Sequence, residues 1–156
     1  MAVARKHKKG SKAALKRPAF VSPGNGETAR RALNLGQSFT FAWHGLRYLL
    51  RSQRNARIHA AAAAAVVAAA LLLGLSALEI AIVLVVIGLV FVAELFNTAL
   101  EALIDLATDE WHPLAKASKD LGAAAVLVAA VLAAVVGLLV FIPHIVEVAT
   151  QLTRPA

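Results

Sequence analysis

The chain has 156 residues, of which 60% are hydrophobic, and it carries 16 Lys and Arg against 9 Asp and Glu. This apolar fraction is well above the roughly 45–50% of soluble domains, which argues against a soluble protein and predicts a single all-α membrane domain. Because Cys is absent, disulfide frameworks, thiolate metal sites and cysteine nucleophiles are excluded as well.

Residues 1–35 are basic and contain Pro18, Pro23 and Gly24 among few large apolar side chains. This composition is typical of a solvated, disordered tail, which we expect to touch anionic lipid on the cytoplasmic side. Nucleic-acid binding is the alternative, and the lack of a binding module or aromatic platform disfavours it. Thirteen of the sixteen Lys and Arg lie at or before Arg57, so the positive-inside rule places the amino terminus in the cytoplasm.

The next segment, residues 37–54, predicts an amphipathic helix that lies on the membrane surface. Phe39, Trp43 and Leu46 share one side at helical spacing, and Arg47 and Arg51 lie on an adjoining face. The simpler interpretation is a surface anchor, with Trp43 at the membrane interface. The alternative is that the basic face also helps to hold a phosphate-bearing ligand.

Three apolar segments follow, each near the roughly 20 residues that a transmembrane helix needs. They are residues 58–75, 77–100 and 121–142. The loop between the second and third carries Lys116 and Lys119, which predicts that it is cytoplasmic. The short C-terminal tail, residues 146–156, is therefore expected outside the cell.

The second span continues into polar residues that share one helical face. Glu94, Asn97, Glu101 and Asp105 fall within a sector of roughly 80° at about 100° per residue. We call them the acidic stripe. At about 1.5 Å per residue the stripe begins inside the cytoplasmic leaflet and runs out into water.

The connection that follows the stripe brings further ionisable groups to the same membrane face. They are Asp109, Glu110, His112, Lys116, Lys119 and Asp120. Oxygen ligands without a His or Cys cluster suit a hard cation such as Mg²⁺, and Lys119 is placed to neutralise phosphate. Interhelical hydrogen bonding is an alternative reading of the stripe, and an oligomeric proton or ion pathway without enzymatic activity is another. The chain contains no P-loop motif.

The motifs E-x-x-N-T-A-x-E-x-x-x-D, H-P-L-A-K and K-D resemble the signature of the prokaryotic diacylglycerol kinase and undecaprenol kinase family. They begin at Glu94, His112 and Lys119. The resemblance also includes A-W-x-G-L-R and R-N-x-R-I-H, and it extends from about Ser38 to Pro143. We therefore expect a membrane kinase domain over residues 36–145.

The resemblance implies a homotrimer of subunits with one surface helix and three transmembrane helices, in the bacterial inner or cytoplasmic membrane. It implies transfer of the γ-phosphate of ATP, with Mg²⁺, to the hydroxyl of a membrane lipid. F-N-T-A-x-E and H-P-L-A-K are more similar to the undecaprenol-type members, so we favour undecaprenol over diacylglycerol. The implied site residues are Glu94 as the catalytic carboxylate; Glu101 as a metal ligand; Phe41, Asn97, Asp105, Glu110, Trp111, His112, Lys119 and Asp120 at the nucleotide; and Trp43, Arg47 and Glu94 at the lipid.

One position departs from the family pattern. A glutamate that serves as a second metal ligand usually precedes the Arg-Asn pair, whereas this chain has Gln53 there. An amide oxygen can still coordinate Mg²⁺, but the site loses one negative charge. We expect weaker metal binding, compensation by another carboxylate, or a subunit with poor kinase activity.

Overall fold

The structure is a computed structural model that describes residues 35–153. All regular secondary structure in this part of the chain is α-helical: α1 is Leu35–Ser52, α2 is Arg54–Leu72, α3 is Ala77–Ala107 and α4 is Pro113–Thr153. Helices α2, α3 and α4 are each long and apolar enough to cross a membrane. The predicted all-α fold with three candidate spans is thereby confirmed.

Helix α1 is amphipathic and meets α2 at a sharp corner. Gln53 is the one non-helical residue between them, with extended backbone angles of φ −105° and ψ 121°. Leu49 and Ala56 are almost fully buried on either side of this corner, while Trp43 is 62% exposed. The corner holds Gln53 at the junction of α1 and α2, where its side chain reaches α3.

The turn between α2 and α3 combines two helix-capping motifs. Gly74 takes the left-handed conformation (φ 69°), Leu75 N–H donates to Ala70 O (3.0 Å) and Gly74 N–H donates to Leu71 O (3.3 Å), which is the Schellman pattern. The next residues form a capping box between Ser76 and Glu79 at the start of α3. Together the two motifs reverse the chain within a few residues.

Helices α3 and α4 run antiparallel and form the main contact of the fold. Val83 and Val90 of α3 and Val126 and Ala129 of α4 are buried. The helices approach closely at Gly122, because a Cβ there would overlap Asn97 Oδ1 and lie 3.3 Å from a methyl of Leu100. Glycine therefore sets the distance between the helices at the level of the acidic stripe.

The observed helix ends differ from several of the predicted boundaries. Helix α2 ends at Leu72, so the end of the predicted 58–75 span falls in the turn, and α4 includes residues on both sides of the predicted 121–142 span. Pro143 lies inside α4 without ending it. The predicted tail at 1–35 lies outside the described residues except for Leu35, and the tail at 146–156 is helical through Thr153.

Much of the apolar surface of the described helices is exposed. Phe96 is 73% exposed, Leu139 71% and Leu121 70%. Such a surface is expected of helices that face lipid or other membrane helices rather than water.

Candidate active site

Glu94 occupies the deepest position of the acidic stripe. The residue is only 3% exposed, although it carries a carboxylate. Its Oε1 lies 3.5 Å from His59 Nε2 of α2, beyond the usual hydrogen-bond length of roughly 2.7–3.2 Å. Within residues 35–153 this oxygen has no hydrogen-bond donor. Glu94 is thus a buried carboxylate with one oxygen atom that no described residue hydrogen-bonds.

Glu101 lies two helical turns further along α3 and is bound by two amide groups. Its Oε1 accepts a hydrogen bond from Asn97 Nδ2 (3.0 Å), and its Oε2 accepts one from Gln53 Nε2 (3.3 Å). The stripe and the α1–α2 corner therefore meet at Glu101. Gln53, which stands at the position of the expected second metal ligand, lies beside Glu101 because α1 and α2 both pack against α3.

Both amides turn their nitrogen atoms toward Glu101, while Asn97 Oδ1 faces Gly122 of α4. Asn97 Oδ1 is buried without a hydrogen-bond partner among the described residues. Among the same residues, no group of three or more His, Asp or Glu side chains lies close enough to hold a metal ion. The possible metal ligands around Glu101 are instead one carboxylate and two amides. This set fits Mg²⁺, which typically takes one or two carboxylates and completes its coordination shell with phosphate oxygens and water.

The outer end of the stripe is paired with the start of α4. Lys119 Nζ lies 2.6 Å from Asp105 Oδ1, and both side chains are partly exposed. Lys116 Nζ lies 2.5 Å from Asp120 Oδ2 one helical turn away, in a more exposed pair. Two ammonium groups and two carboxylates therefore lie where the end of α3 meets the start of α4.

His112 has a structural position at the beginning of α4. Its Nδ1 accepts a hydrogen bond from Leu114 N–H (3.2 Å), and its carbonyl accepts one from Lys116 N–H (3.1 Å). These are the contacts of a helix N-cap. In the preceding loop, Glu110 N–H donates to Thr108 Oγ1 (3.1 Å), which fixes the end of α3.

Several predicted site residues do not lie near the carboxylates in the described part of the chain. Phe41 is 42% exposed and Trp43 is 62% exposed on α1, and Arg47 is exposed on the same helix. Trp111 is 78% exposed in the α3–α4 loop. These side chains are available to ligands, lipid or neighbouring subunits.

Three residues of the cluster were not assigned a role from the sequence. His59 lies beside Glu94, Thr98 is buried one turn beyond Glu94, and Gly122 abuts Asn97. His59 was visible as an ionisable residue within an alanine-rich apolar segment, which marks a functional position in membrane helices. Thr98 and Gly122 carry no comparable signal, since small polar residues and glycines are common in such helices.

The described helices form a small helical membrane protein. Three of them can span a membrane, and a carboxylate–amide cluster forms a polar site between α2, α3 and α4. Residues 40–141 match the model of the prokaryotic diacylglycerol kinase family. This chain belongs to that family, whose members are membrane lipid kinases.

Individual relatives agree with the family match. The chain is 47% identical over 109 residues to a protein named undecaprenol kinase from Bacillus subtilis (strain 168), covering 70% of this chain and 89% of the relative. It is 40% identical over 117 residues to a diacylglycerol kinase from Synechocystis sp., covering 74% and 67%. It is 30% identical over 95 residues to a diacylglycerol kinase from Escherichia coli (strain K12), covering 61% and 78%.

Proposed function

We propose that this lipid kinase phosphorylates undecaprenol to undecaprenyl phosphate, with ATP as the phosphate donor and Mg²⁺ as the accompanying cation. The observation that carries the proposal is the pair of carboxylates on α3. Glu94 is buried with an open acceptor oxygen, and Glu101 lies about 10 Å further along the helix, next to Gln53. One carboxylate faces the membrane interior, and the other lies toward the membrane face.

Glu94 is the proposed catalytic carboxylate. Its free Oε1 accepts a hydrogen bond from the lipid hydroxyl and then its proton, while the hydroxyl oxygen forms a bond to the γ-phosphorus. The bond from that phosphorus to the β–γ bridging oxygen breaks, and ADP leaves with the electron pair. Phosphoryl transfer of this kind depends mainly on positioning and charge stabilisation, which a rigid helix provides.

Glu101 is the proposed metal ligand, with the side-chain amides of Gln53 and Asn97 beside it. Rotation of either amide would replace its N–H with its oxygen toward a cation, and the two orientations are nearly isosteric. When bound, Mg²⁺ would offset the negative charge of the phosphates. Gln53 contributes no charge, so Glu101 is the one anionic group of this set.

The remaining positions of the stripe and of the loop are proposed to hold the nucleotide. In this structure Lys119 pairs with Asp105. Because both side chains are partly exposed, the Lys119 ammonium can leave this carboxylate and bind a phosphate oxygen instead. The other proposed nucleotide residues are Phe41, Asn97, Asp105, Glu110, Trp111, His112 and Asp120. Exposed Glu110 and Trp111 can also meet a neighbouring subunit.

The lipid side of the site is proposed to include α1. Trp43 and Arg47 are exposed on this amphipathic helix, where an aromatic ring and a guanidinium suit the headgroup layer. Undecaprenol is favoured because the Bacillus relative that bears this substrate in its name is 47% identical, against 40% for the Synechocystis diacylglycerol kinase. Diacylglycerol, giving phosphatidic acid, is the alternative substrate.

We further propose a homotrimer in the bacterial cytoplasmic membrane, with the amino terminus inside and the carboxyl terminus outside. The concentration of Lys and Arg before Arg57 supports this orientation. The exposed apolar faces of α3 and α4 leave ample surface for contacts between copies.

The test is a transfer assay from labelled ATP in detergent micelles, with undecaprenol and diacylglycerol as parallel acceptors. We expect Mg²⁺-dependent labelling of both or of undecaprenol alone, with the higher kcat/KM for undecaprenol. A higher kcat/KM for diacylglycerol would reverse the substrate assignment. Labelling of neither lipid would refute the proposed reaction.

A further inference from the structure

An apolar cavity of about 560 Å³, open on one side, lies between α2, α3 and α4. Its width comes from small side chains on α2 and α4: Ala62, Ala63, Ala130, Ala133, Ala134 and Gly137. A Cβ added to Gly137 would meet no heavy atom within 4 Å. The cavity is therefore open space that larger side chains would fill.

His59 connects this cavity to the candidate active site. It is the one polar side chain among the lining residues, and its Nε2 lies 3.5 Å from Glu94 Oε1. Val90 and Phe91, which also line the cavity, lie just before Glu94 on α3. The cavity thus has a single polar end, at the proposed catalytic carboxylate.

The walls of the cavity differ in length. Its lining on α4 runs from Ala130 to Ile145, about 22 Å at 1.5 Å per residue. Its lining on α2 runs from His59 to Val66 and on α3 from Val86 to Phe91, about 10 Å and about 8 Å. Because α3 and α4 are antiparallel and Asp105 pairs with Lys119, the lining extends away from the inner end of the stripe.

We propose that this cavity holds the hydrocarbon tail of the lipid alcohol and makes the enzyme selective for a polyprenol over a diacylglycerol. The inference rests on the proposed lipid kinase function. A polyprenol has one terminal hydroxyl on a long hydrocarbon, which matches one polar end and an apolar slot. A diacylglycerol would bring ester carbonyls, which lose hydration and find no donor beyond His59.

The first test fills the cavity and compares chain lengths. Gly137→Leu places a side chain in the slot, and Gly88→Leu is the matched control, because Gly88 is also a helical glycine with open space around it and lies outside the cavity. We expect Gly137→Leu to raise the KM for a long polyprenol about tenfold relative to that for a short prenol. Gly88→Leu should leave this ratio unchanged. An unchanged ratio in Gly137→Leu would overturn the proposal.

A second pair of variants covers the case in which Gly137→Leu does not fold. Ala134→Phe also projects into the cavity, whereas Val135→Phe changes the next residue of α4, which does not line it. The chain-length ratio should change in the first variant and not in the second. Equal ratios in both folded proteins would contradict the assignment.

The third test measures binding without turnover. A polyprenol with a photoreactive diazirine in its tail should label residues 130–145 of α4, and Gly137→Leu should reduce this labelling about tenfold. Labelling elsewhere would overturn the cavity assignment. If the wild-type protein phosphorylates no lipid alcohol, the proposed function fails, yet this labelling still decides whether the tail occupies the cavity.

A second copy of the chain is the competing occupant. Because the sequence has no Cys, Gly137→Cys introduces a single thiol for crosslinking. Efficient disulfide formation between copies at this position would mean that another subunit fills the slot, and the proposal would be wrong. The proposal predicts that, in the presence of polyprenol, the introduced cysteines form no disulfide between copies.

Discussion

Helix α3 carries two glutamate–histidine pairs, one in its first turn and one near its middle, and they differ in how the carboxylate is occupied. At the start of the helix, Glu79 Oε2 accepts hydrogen bonds from Ser76 N–H (2.8 Å) and Ser76 Oγ–H (2.6 Å) and lies 3.7 Å from His144 Nε2. At the other pair, Glu94 Oε1 lies 3.5 Å from His59 and has no donor among the described residues.

The comparison separates a structural carboxylate from a chemically available one. Glu79 is partly exposed and its oxygen is used by the capping box, which stabilises the start of the helix. Glu94 is buried in an apolar segment, where an unsatisfied acceptor is unfavourable unless a ligand completes it. The same residue types therefore serve helix formation in the first turn of α3 and, in our proposal, phosphoryl transfer near its middle.

The largest expected effect is the loss of turnover in Glu94→Gln. Removal of a general base typically lowers the rate by about 10²–10⁴-fold. Binding of ATP and Mg²⁺ should be nearly retained, because Glu101 and Lys119 are untouched. Rates are measured by phosphate transfer to undecaprenol, and nucleotide binding by equilibrium dialysis.

The control for this variant is Glu79→Gln at the pair in the first turn of α3. It should keep near-normal turnover and lose little thermal stability, because Gln at this position can also complete the capping box with Ser76. Near-normal turnover in Glu94→Gln would remove Glu94 from the proposed chemistry.

The next largest effect is expected in Glu101→Gln. The substitution removes the one carboxylate that Gln53 and Asn97 surround, so the apparent affinity for Mg²⁺ should fall by at least about tenfold. The measurement is the Mg²⁺ concentration that gives half-maximal stabilisation against thermal unfolding in the presence of ATP. An unchanged midpoint would show that the cation binds elsewhere.

A smaller change is expected when the missing negative charge is restored by Gln53→Glu. A second carboxylate beside Glu101 should strengthen Mg²⁺ binding by about fivefold, and without Mg²⁺ the two like charges should lower thermal stability. Gln151→Glu is a matched control. Gln151 also donates a hydrogen bond to a glutamate, Glu147 (3.4 Å), but this pair lies near the C-terminal end of α4, far from Glu101. Identical Mg²⁺ titrations for the two variants would place Gln53 away from the ion.

The smallest effect is expected in Ser76→Ala. The variant removes the hydroxyl of the capping box and should lower the free energy of unfolding by about 1 kcal/mol without changing kcat. Thermal unfolding and transfer rates are measured on the same preparation. A large loss of turnover would mean that the Glu79 end also takes part in the reaction.

Local sequence patterns were sufficient to predict the helices and the stripe. Apolar runs of membrane length predict α2, α3 and α4, and a helical repeat alone places Glu94, Glu101 and Asp105 on one face. The ends of α4 were less predictable, because the polar residues that flank its apolar segment continue the helix and Pro143 lies within it. Hydropathy reports the lipid-facing length of a helix, not its full extent.

Contacts between helices could not be read from these patterns. The position of His59 beside Glu94 depends on how α2 packs against α3, and the overlap of a Gly122 Cβ with Asn97 depends on the α3–α4 distance. The cavity arises from small side chains on different helices, so no single segment of the sequence indicates it. The motif resemblance predicts the site residues, whereas only the packing shows which buried carboxylate oxygen has no hydrogen-bond donor among the described residues.

The most direct test of the account is an experimental structure with Mg²⁺, a non-hydrolysable ATP analogue and undecaprenol bound together. The account predicts the ion at about 2.0–2.1 Å from a Glu101 oxygen, with Gln53 beside it, and the lipid hydroxyl within hydrogen-bond distance of Glu94 Oε1. A structure in which the ion binds away from Glu101, or in which Glu94 contacts protein groups alone, would contradict the division of the stripe into a nucleotide end and a lipid end.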